Sequence, residues 1–495
     1  MTTPSESAAA IEHVVICGTG LAAQMTACAM AAQLPPAIRI TLADVGDSAG
    51  TDLFYGSVSA PSAYAFNLTT GLQEPRLVVE GDAAFSWGTR YSRWAGGSRS
   101  WIQCFHLSLP VIDGVLFHHY LAQQGETELE PYLVSAMAAR KGVFAHPPQR
   151  PGQTEQLLSR AEYGYQFDPA TYARLFQSST DDARVHRVRG ALEEVVRGDQ
   201  GIAAIRLAGG QSLEADLFID CTGPDASLLS SLGSAFTGGR RLRAAMTRKP
   251  AARLGPPVRE VTPEAYGWRS ETPLRGCTAQ LTVYDPASEA EALSAHGAEP
   301  ERTGEAVLGR RDEAWSGNCV AIGQAAGVVE PLTPAPLMLL ERDIERLLSL
   351  IPFSSDMTVE RREYNRRSAE DHEHCALFSR ALFETDGLPD TPYWQAARAE
   401  PVPEKLARKL DLFEDRGLLV AYDLEPFQME DWTILHCGMG RHPSRYDRSA
   451  DRAPADRVRQ YLANMKSEIA KLVDTLPSHA DYMAQLKQYL LQNRR

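Results

Sequence analysis

Residues 13–44 read HVVICGTGLAAQMTACAMAAQLPPAIRITLAD, and their pattern indicates the class of fold. The apolar, β-branched run before Gly18 predicts a buried strand. The Ala, Leu and Met residues after Gly20 recur at helical spacing until Pro35 ends the helix. A second buried strand, IRITLAD, then ends at Asp44. A strand, a glycine turn, a helix and a second parallel strand together form a βαβ unit.

The glycine turn has the spacing of a dinucleotide-binding site. Gly18 permits the tight turn, Gly20 lets the backbone approach a pyrophosphate, and Ala23 lets the helix pack closely on the strand. The helix N-terminus offers N–H donors and the positive end of its dipole to the same phosphates. Asp44 lies where a carboxylate accepts the hydroxyls of a ribose. We therefore predict a bound dinucleotide, the alternative being a glycine turn that holds no ligand.

Two later segments favour FAD over a nicotinamide cofactor. In flavoproteins of the hydroxylase type, a strand ending in Thr-Gly and a later Gly-Asp-Ala-Ala-Gly turn wrap the flavin half of FAD. Here the first segment ends in Thr222 and Gly223. The second runs from Gly323 through Gln324 to Gly327. The sequence has no second glycine fingerprint for NADPH, so we expect reduced flavin to come from a separate reductase.

The sequence pattern of the remaining chain predicts strands first and helices after them. Residues 191–223 alternate like a β-meander, and further strand patterns follow. Beyond about residue 352, charged residues at helical spacing dominate to the C-terminus. We therefore expect an α/β (α+β) fold. An FAD-binding Rossmann-like core with a β-meander and a substrate sheet would span residues 1–350, and a helical C-terminal subdomain packed on it would span 351–495.

Composition and charge exclude several classes of protein. The 50 basic and 63 acidic residues give a net charge of −13, which repels phosphate backbones and argues against a nucleic-acid partner. The eight cysteines are spread singly with no CxxC pair, so no metal site is expected. The N-terminus lacks a basic export signal, and no apolar run reaches about 18 residues. We therefore expect a cytoplasmic protein with no membrane partner.

Segments along nearly the whole chain carry a further signal. They are VVICGTGLAA, FSWGTRYSRW, FHHYL, EYGYQFDPATYARLF, FIDCTG, YGWRSETPL, WSGNCVAIGQAAGVVEPL, EYNRR, DTPYW and WTILHCGMGRHP. In these segments the chain resembles the flavin-dependent tryptophan halogenase family. The resemblance implies FAD, a separate flavin reductase, a small aromatic substrate that is indole-like or carrier-bound, and a homodimer. It also implies that hypohalous acid made at the flavin passes through a tunnel, where a lysine and a glutamate direct it onto an aromatic carbon.

The residues that this family uses for catalysis are changed here. The family's lysine lies four residues before a tryptophan, and the aligned residue is Arg90, before Trp94. An arginine stays protonated and cannot form an amine-bound halogen species, although its guanidinium can donate hydrogen bonds to an oxidant. The family's glutamate, in the turn Pro-Leu-Glu-Ser-Thr-Gly, aligns with Thr333, which has no useful basicity at neutral pH. Arg90 and Thr333 are therefore expected at the catalytic positions, with altered chemistry.

The halide site that the resemblance implies is also changed. It uses two backbone N–H groups of the same turn, at the positions of Ala335 and Pro336. Proline has no N–H, so half of this anion site is missing. Each lost hydrogen bond to a charged ligand costs about 1.5–3 kcal/mol, or roughly one to two orders of magnitude in affinity.

Two further positions differ at the tunnel and at the cofactor. The family's Trp-x-Trp-x-Ile-Pro signature, which lines the tunnel, reads WRSETP from Trp268. One tryptophan is kept, and Glu271 is expected to bring charge into the wall. The aspartate of the FAD turn is replaced by Gln324, which loses a charge-assisted hydrogen bond to the ribityl chain. We expect a weakened FAD site rather than an abolished one.

These changes touch every functional part while the scaffold segments are kept. We therefore predict a halogenase-family oxidoreductase, a monooxygenase-like enzyme that uses FAD and acts on an aromatic substrate. Chloride-dependent halogenation is expected to be lost or altered. The alternative is a non-catalytic or accessory member that binds a small molecule or pairs with an active enzyme of the family.

Overall fold

A computed structural model describes residues 10–46, 48, 50–94, 99–148 and 157–493. The strands are β1 (His13–Gly18), β2 (Arg39–Asp44), β3 (Ala84–Ser86), β4 (Gly88–Ser92), β5 (Ser100–Cys104), β6 (Gly164–Gln166), β7 (Val185–Arg189), β8 (Leu192–Gly198), β9 (Gly201–Leu207), β10 (Gln211–Glu214), β11 (Leu217–Cys221), β12 (Phe236–Pro250), β13 (Arg259–Glu264), β14 (Gly267–Leu274), β15 (Cys277–Tyr284), β16 (Arg302–Arg311), β17 (Trp315–Ser316), β18 (Cys319–Ala321) and β19 (Gly327–Val328). The α-helices are α1 (Gly20–Gln33), α2 (Ser62–Thr69), α3 (Glu74–Val79), α4 (Phe117–Gln123), α5 (Val134–Lys141), α6 (Pro169–Ser179), α7 (Ser227–Ser231), α8 (Glu289–His296), α9 (Ala335–Ser349), α10 (Thr358–Ala381), α11 (Pro392–Arg398), α12 (Glu404–Arg416), α13 (Met429–Gly438), α14 (Ala455–Thr475) and α15 (His479–Gln492). The expected α/β class is confirmed.

The first sheet is the one that the opening sequence predicts. Its order is β17-β18-β11-β1-β2-β7, and every pair from β18 to β7 is parallel. All residues of β1 are buried, and its apolar, β-branched side chains suit a central strand that is covered on both faces. Val15 of β1 lies opposite Phe218 of β11 and Thr41 of β2. The βαβ unit of residues 13–44 is confirmed.

Helix α1 lies in the interior, which explains why its sequence is apolar on all sides. Residues 21–30 are buried, and the helix packs against α6 and α9 as well as against the sheet. It begins at Gly20, directly after β1, so its N-terminus lies at the carboxyl edge of the parallel sheet. It ends before Leu34 and the two prolines, as the sequence predicts.

The second sheet has eight strands in the order β19-β16-β12-β15-β14-β13-β4-β5. Neighbouring strands are antiparallel except β13 and β4, which are parallel. Because side chains alternate across a strand, each row of paired residues faces one side of the sheet. Two adjacent rows face opposite sides: Tyr91, Val261, Ser270 and Leu281 form one, and Arg90, Glu260, Glu271 and Gln280 form the other.

The expected β-meander is present as β8, β9 and β10, which pair antiparallel. The chain then enters β11 of the first sheet. Its second turn contains Gly209 and Gly210, with φ of 92° and 85°, a conformation that glycine adopts at little cost.

After β19 the described chain is helical, with α9 to α15 following one another. Buried apolar residues from Ile11 to Met483 form one continuous core, so the C-terminal helices pack on the sheets. The boundary expected at residue 350 stays a prediction. Within the described ranges, no helix combines the length and the apolar character needed to cross a membrane.

Candidate active site

Glycine turns lie side by side at the carboxyl edge of the parallel sheet. They follow the neighbouring strands β1, β11 and β18 and contain Gly20, Gly223 and Gly323, whose φ values are 75°, 84° and 64°. Gly18 lies so close to β11 that an added Cβ would be 2.2 Å from the carbonyl oxygen of Cys221. This edge is where open parallel sheets bind dinucleotides.

Asp44 and Ala23 flank this edge of the sheet, and their roles in holding a dinucleotide stay predictions. Asp44 ends β2 at the same edge, and its Oδ2 accepts a 3.2 Å hydrogen bond from Nε of Arg189. The Arg189 side chain is 85% exposed, so a ribose can compete with it for the carboxylate. Ala23 is fully buried within α1, as close packing of the helix on the sheet requires.

The crevice beside these turns is filled by the chain itself. Residues Thr51–Tyr55 form a 3₁₀ helix, which we call the 51–55 segment. Oδ2 of Asp52 accepts a 3.0 Å hydrogen bond from the backbone N–H of Leu21, in the first turn of α1. A Cβ added at Gly20 would lie 2.4 Å from this oxygen. The Asp52 carboxylate therefore occupies the helix N-terminus at which a dinucleotide fold binds pyrophosphate.

The 51–55 segment also contacts the other glycine turns. The Thr51 carbonyl accepts a 2.8 Å hydrogen bond from Nε2 of Gln324, and the Tyr55 hydroxyl accepts a 3.2 Å bond from the Gln324 backbone N–H. A Cβ added at Gly323 would lie 2.5 Å from the Tyr55 hydroxyl oxygen. One added at Gly223 would lie 3.6 Å from Thr51 Oγ1. Gln324, expected to bind the ribityl chain, is bound to this segment.

The 51–55 segment is tightly packed. Its residues from Asp52 to Tyr55 are at most 5% exposed. Just before it, Gly50 lies against β16, where an added Cβ would be 2.3 Å from the Thr303 carbonyl oxygen. Burial raises the pKa of Asp52 to about 7, against the lowering effect of its hydrogen bonds from Leu21 and Ser48. The group at the helix N-terminus is therefore partly ionised at neutral pH.

These contacts test whether FAD fits the crevice. The glycine turns, the N-terminus of α1 and Asp44 suit a dinucleotide. Asp52 and Tyr55 instead fill the space against the turns. FAD fits this framework only after the 51–55 segment moves, and the move would uncover Leu53, Phe54 and Tyr55. Exposing each such side chain costs about 1.5–3 kcal/mol.

Two other predicted cofactor residues have structural partners. The Thr222 hydroxyl donates to Oδ1 of Asp220 at 2.6 Å and accepts from the Ser227 N–H at 2.7 Å, at the start of α7. Gly327 faces α10, and an added Cβ there would lie 2.7 Å from Cδ2 of His372. The cofactor roles of Thr222 and Gly327 stay predictions.

The turn between β19 and α9 is held by side chains of the second sheet. Arg259 of β13 is fully buried, and its Nη1 donates to the Pro331 carbonyl at 2.9 Å while its Nη2 donates to the Leu332 carbonyl. The Tyr91 hydroxyl donates to the same Leu332 carbonyl at 2.8 Å. Burial lowers the pKa of Arg259 to about 10, which still leaves it charged at neutral pH.

The predicted halide positions follow in the same turn. Oγ1 of Thr333 accepts a 3.2 Å hydrogen bond from the backbone N–H of Ala335. Pro336 has no N–H to offer. Thr333 and Ala335 are 2% and 0% exposed, respectively. Of the two donors that the resemblance implies, one is satisfied inside the turn and the other does not exist.

Arg90 lies on the opposite face of the second sheet from this turn. Its neighbour Tyr91 reaches Leu332, so the alternation of side chains directs Arg90 to the other side. There its Nη1 lies 3.8 Å from Oε2 of Glu260. The structure does not bring Arg90 and Thr333 together, and a catalytic role for Arg90 stays a prediction.

The two residues expected in the tunnel wall lie on different faces. Trp268 is fully buried, and its Nε1 donates to Oε1 of Glu330 at 2.7 Å. Glu330 also accepts from the Tyr393 hydroxyl and pairs with Arg240 at 3.2 Å. Glu271 belongs to the Arg90 row of the sheet and is exposed. Strand alternation directs Glu271 away from Trp268, and its place in a tunnel wall stays a prediction.

A cavity of about 220 Å³ adjoins the turn at Pro334. Its lining comes from β4, β5, α9 and the chain around the start of α13, and we call it the turn cavity. Tyr91 lines it and donates to the Leu332 carbonyl, so the cavity lies directly beside the turn.

Sequence reasoning missed Asp52, Tyr55 and Arg259. The run Leu53-Phe54-Tyr55 is the signal that could have identified a buried segment, because three large apolar residues rarely face water together. A lone arginine in a strand reads as exposed, so the sequence carries no signal for Arg259.

Comparison with known proteins finds relatives over nearly the whole chain. The family model described as tryptophan halogenase matches residues 13–455. The tryptophan 6-halogenase SttH of Streptomyces toxytricini is 26% identical over 521 residues, which cover 96% of this chain and 98% of SttH. Among solved structures, BrvH, a flavin-dependent halogenase from Brevundimonas sp. BAL3, is 28% identical with a TM-score of 0.88, covering 96% of this chain and 99% of its own. Xcc4156, a flavin-dependent halogenase from Xanthomonas campestris, is 25% identical with a TM-score of 0.88, covering 96% and 98%.

Proposed function

Because this chain belongs to the tryptophan halogenase family, we propose that it is an FAD-dependent oxidoreductase that acts on a small aromatic substrate and no longer halogenates with chloride. Flavin-dependent halogenases use FAD, which a separate flavin reductase supplies in reduced form. The family acts on small aromatic compounds such as tryptophan. For this chain we propose the same class of aromatic substrate and the same need for a separate flavin reductase.

One observation supports the proposed loss of halogenation. The only N–H that the halide positions could offer, that of Ala335, is hydrogen-bonded to Thr333. An anion bound there would break this bond and would find no second donor at Pro336. The Thr333 hydroxyl also provides no base for the ring proton. We therefore expect chloride neither to be captured nor to be oxidised.

The framework residues would hold the cofactor once the 51–55 segment opens. Gly18, Gly20 and Asp44 would bind the adenine half, and Gly223 and Gly323 would approach the flavin half. Bound reduced FAD would activate O₂ and supply an oxygen atom for transfer to the aromatic ring.

Two side-chain contacts must change when FAD binds. Gln324 would exchange the Thr51 carbonyl for the cofactor, and Asp52 would release the N–H of Leu21. Both contacts are made by the chain with itself, so cofactor binding competes with folding of this segment. FAD affinity should accordingly be weak.

The test is turnover of an aromatic substrate. The full chain is incubated with a flavin reductase, FAD, NADH and a panel of indoles and phenols, with catalase added to remove peroxide from free flavin. The proposal predicts a product that has gained one oxygen atom, above a control without the chain. No oxidised product from any compound in the panel would overturn the proposal.

The filled crevice favours a second candidate function, a non-catalytic or accessory member of the family. Asp52 and Tyr55 accept hydrogen bonds from backbone N–H groups of the glycine turns, so these groups have partners without a cofactor. Such an arrangement is expected of a binding site that no longer binds its cofactor. Under this candidate, FAD does not raise the melting temperature of the purified chain, and the chain retains no flavin after desalting. FAD-dependent turnover would reject it.

The proposal includes two features of assembly. We propose a homodimer, as the family resemblance implies, and a helical subdomain from residue 351 that packs on the core. Analytical ultracentrifugation tests the first, and a monomer at micromolar concentration would contradict it. Limited proteolysis tests the second, because a subdomain boundary predicts a cut near residue 350.

A further inference from the structure

The turn cavity has a wall of aromatic and apolar side chains. Phe378 and Phe427 line it and stack on each other, with ring centroids 3.8 Å apart and 9° between their planes. Tyr91, Phe105 and Met338 add further apolar surface. The volume of about 220 Å³ is below the roughly 300–1,000 Å³ of sites for drug-sized ligands, so the cavity suits one small ring system.

The polar part of the lining is acidic. Glu162, Glu430 and Asp431 all line the cavity. The nearby cation Arg160 does not line the cavity, and its Nη1 donates to the Ser108 carbonyl at 2.8 Å. An anionic ligand group would therefore meet carboxyl groups on entering this cavity.

The histidine of the lining does not offset these acids. Burial lowers the pKa of His106 to about 4, so the ring is neutral at physiological pH. Burial also raises the pKa values of Glu430 and Asp431 to about 7. A cationic ligand would favour their ionised forms.

Three buried oxygen atoms of this lining have no hydrogen-bond partner in the described part of the chain. They are Oγ1 of Thr89, Oε1 of Gln103 and Oε1 of Glu430. Gln103 is 7% exposed, and its Nε2 donates to the Asp431 carbonyl at 3.0 Å, which leaves the amide oxygen free. Glu430 uses only Oε2, which accepts from the Leu109 N–H at 3.3 Å. The Gln103 and Glu430 oxygens therefore lack a donor, whereas the Thr89 hydroxyl can also donate.

We propose that the turn cavity binds a small aromatic amine, with its ring against Phe378 and Phe427 and its ammonium group donating to Gln103 and Glu430. This inference rests on the proposed function and names its substrate class. An aromatic amino acid is disfavoured, because its carboxylate would lie among Glu162, Glu430 and Asp431 and no arginine lines the cavity to bind it. An arylalkylamine such as tryptamine has the required ring and charge.

The experiment measures binding to the full chain without FAD. Tryptamine, tryptophan and indole are titrated separately and followed by calorimetry. We expect tryptamine to bind at least about tenfold more tightly than tryptophan or indole. Equal affinities for tryptamine and tryptophan would overturn the assignment.

Two variants locate the ammonium contact. Glu430→Gln should weaken tryptamine about tenfold and leave indole unchanged, whereas Glu468→Gln, on an exposed face of α14, should change neither. If Glu430→Gln does not fold, Gln103→Met tests the same contact. It should weaken the binding of tryptamine more than the binding of indole. A loss that is the same for tryptamine and indole would contradict the proposal.

The binding result separates this inference from the proposed function. Tight and selective tryptamine binding without any oxidised product would overturn the proposed function and support the amine site in the turn cavity. Oxidised products with no selectivity for amines would overturn the amine site and support the proposed function.

Discussion

Asp52 holds the helix N–H that the pyrophosphate of a dinucleotide would need. Its Oδ2 binds the N–H of Leu21 and also accepts a 3.1 Å hydrogen bond from the Ser48 hydroxyl. A pyrophosphate needs the same N–H and brings its own negative charge. The side chain therefore opposes FAD by its position and, when ionised, by its charge.

We expect Asp52→Asn to bind FAD about tenfold more tightly than the unmodified chain at pH values above about 8, where Asp52 is ionised. Below about pH 6 the two proteins should bind FAD equally, because Asp52 is then protonated. Quenching of flavin fluorescence measures both affinities. Asp456→Asn, at an exposed position of α14, is the control. Identical affinities of the Asp52→Asn variant and the unmodified chain at high pH would show that charge is not the obstacle.

Arg90→Lys alone should not restore halogenation. The side chain faces Glu260 on the far side of the second sheet, and no halide donor is free in the turn. The smallest change expected to restore halogenation combines Arg90→Lys with a rebuilt turn. The turn substitutions are Thr333→Glu, Pro334→Ser, Ala335→Thr and Pro336→Gly. Mass spectrometry of products with bromide distinguishes the two proteins. Brominated product from Arg90→Lys alone would mean that position 90 does reach the oxidant.

At the scale of elements, the sequence could predict the helices and strands that local patterns determine. β1, α1 and β2 follow from a buried run, a glycine turn and two prolines, all within residues 13–44. The 51–55 segment is positioned by long-range contacts with β16, Gln324 and α1, which no local pattern encodes. The face on which Arg90 lies depends on the register with β13, so alignment alone could not fix it.

The turn before α9 depends on Arg259, whose guanidinium binds the carbonyls of Pro331 and Leu332. Arg259→Lys should lower the free energy of unfolding by about 1–3 kcal/mol, because one ammonium group cannot reproduce both hydrogen bonds in the same geometry. Urea denaturation measures the change. Arg459→Lys, an exposed residue of α14, should change stability by less than about 0.5 kcal/mol. Equal stability of the two variants would show that Arg259 does not anchor the turn.

At the scale of the whole molecule, buried carboxyl groups make stability depend on pH. Burial raises the pKa of Glu341 to about 8. It raises the pKa values of Asp52, Glu430 and Asp431 to about 7. Such a group binds its proton more tightly in the folded chain than in the unfolded one, so its contribution to stability is lost as pH rises through the folded pKa. Histidines with lowered pKa values, such as His106 at about 4, act in the opposite direction only below about pH 6.5.

The free energy of unfolding should therefore fall by on the order of 4 kcal/mol between about pH 6.5 and pH 8. Urea denaturation followed by circular dichroism across this range measures the slope. Glu341→Gln should flatten the slope near pH 8, and Glu468→Gln should leave it unchanged. Stability that is constant or rises with pH would show that these carboxyl groups are ionised in the folded chain.

We propose that this member of the family has kept the fold and lost the halide site. The most direct measurement incubates the unmodified chain with a flavin reductase, FAD, NADH, catalase and either chloride or bromide, on a panel of indoles, arylalkylamines and phenols, with products analysed by mass spectrometry. We predict no halogenated product above the background of free flavin with either halide. Robust enzymatic bromination would contradict the claim, because a turn with Thr333 bound to the Ala335 N–H and with Pro336 beside it would then suffice to capture a halide.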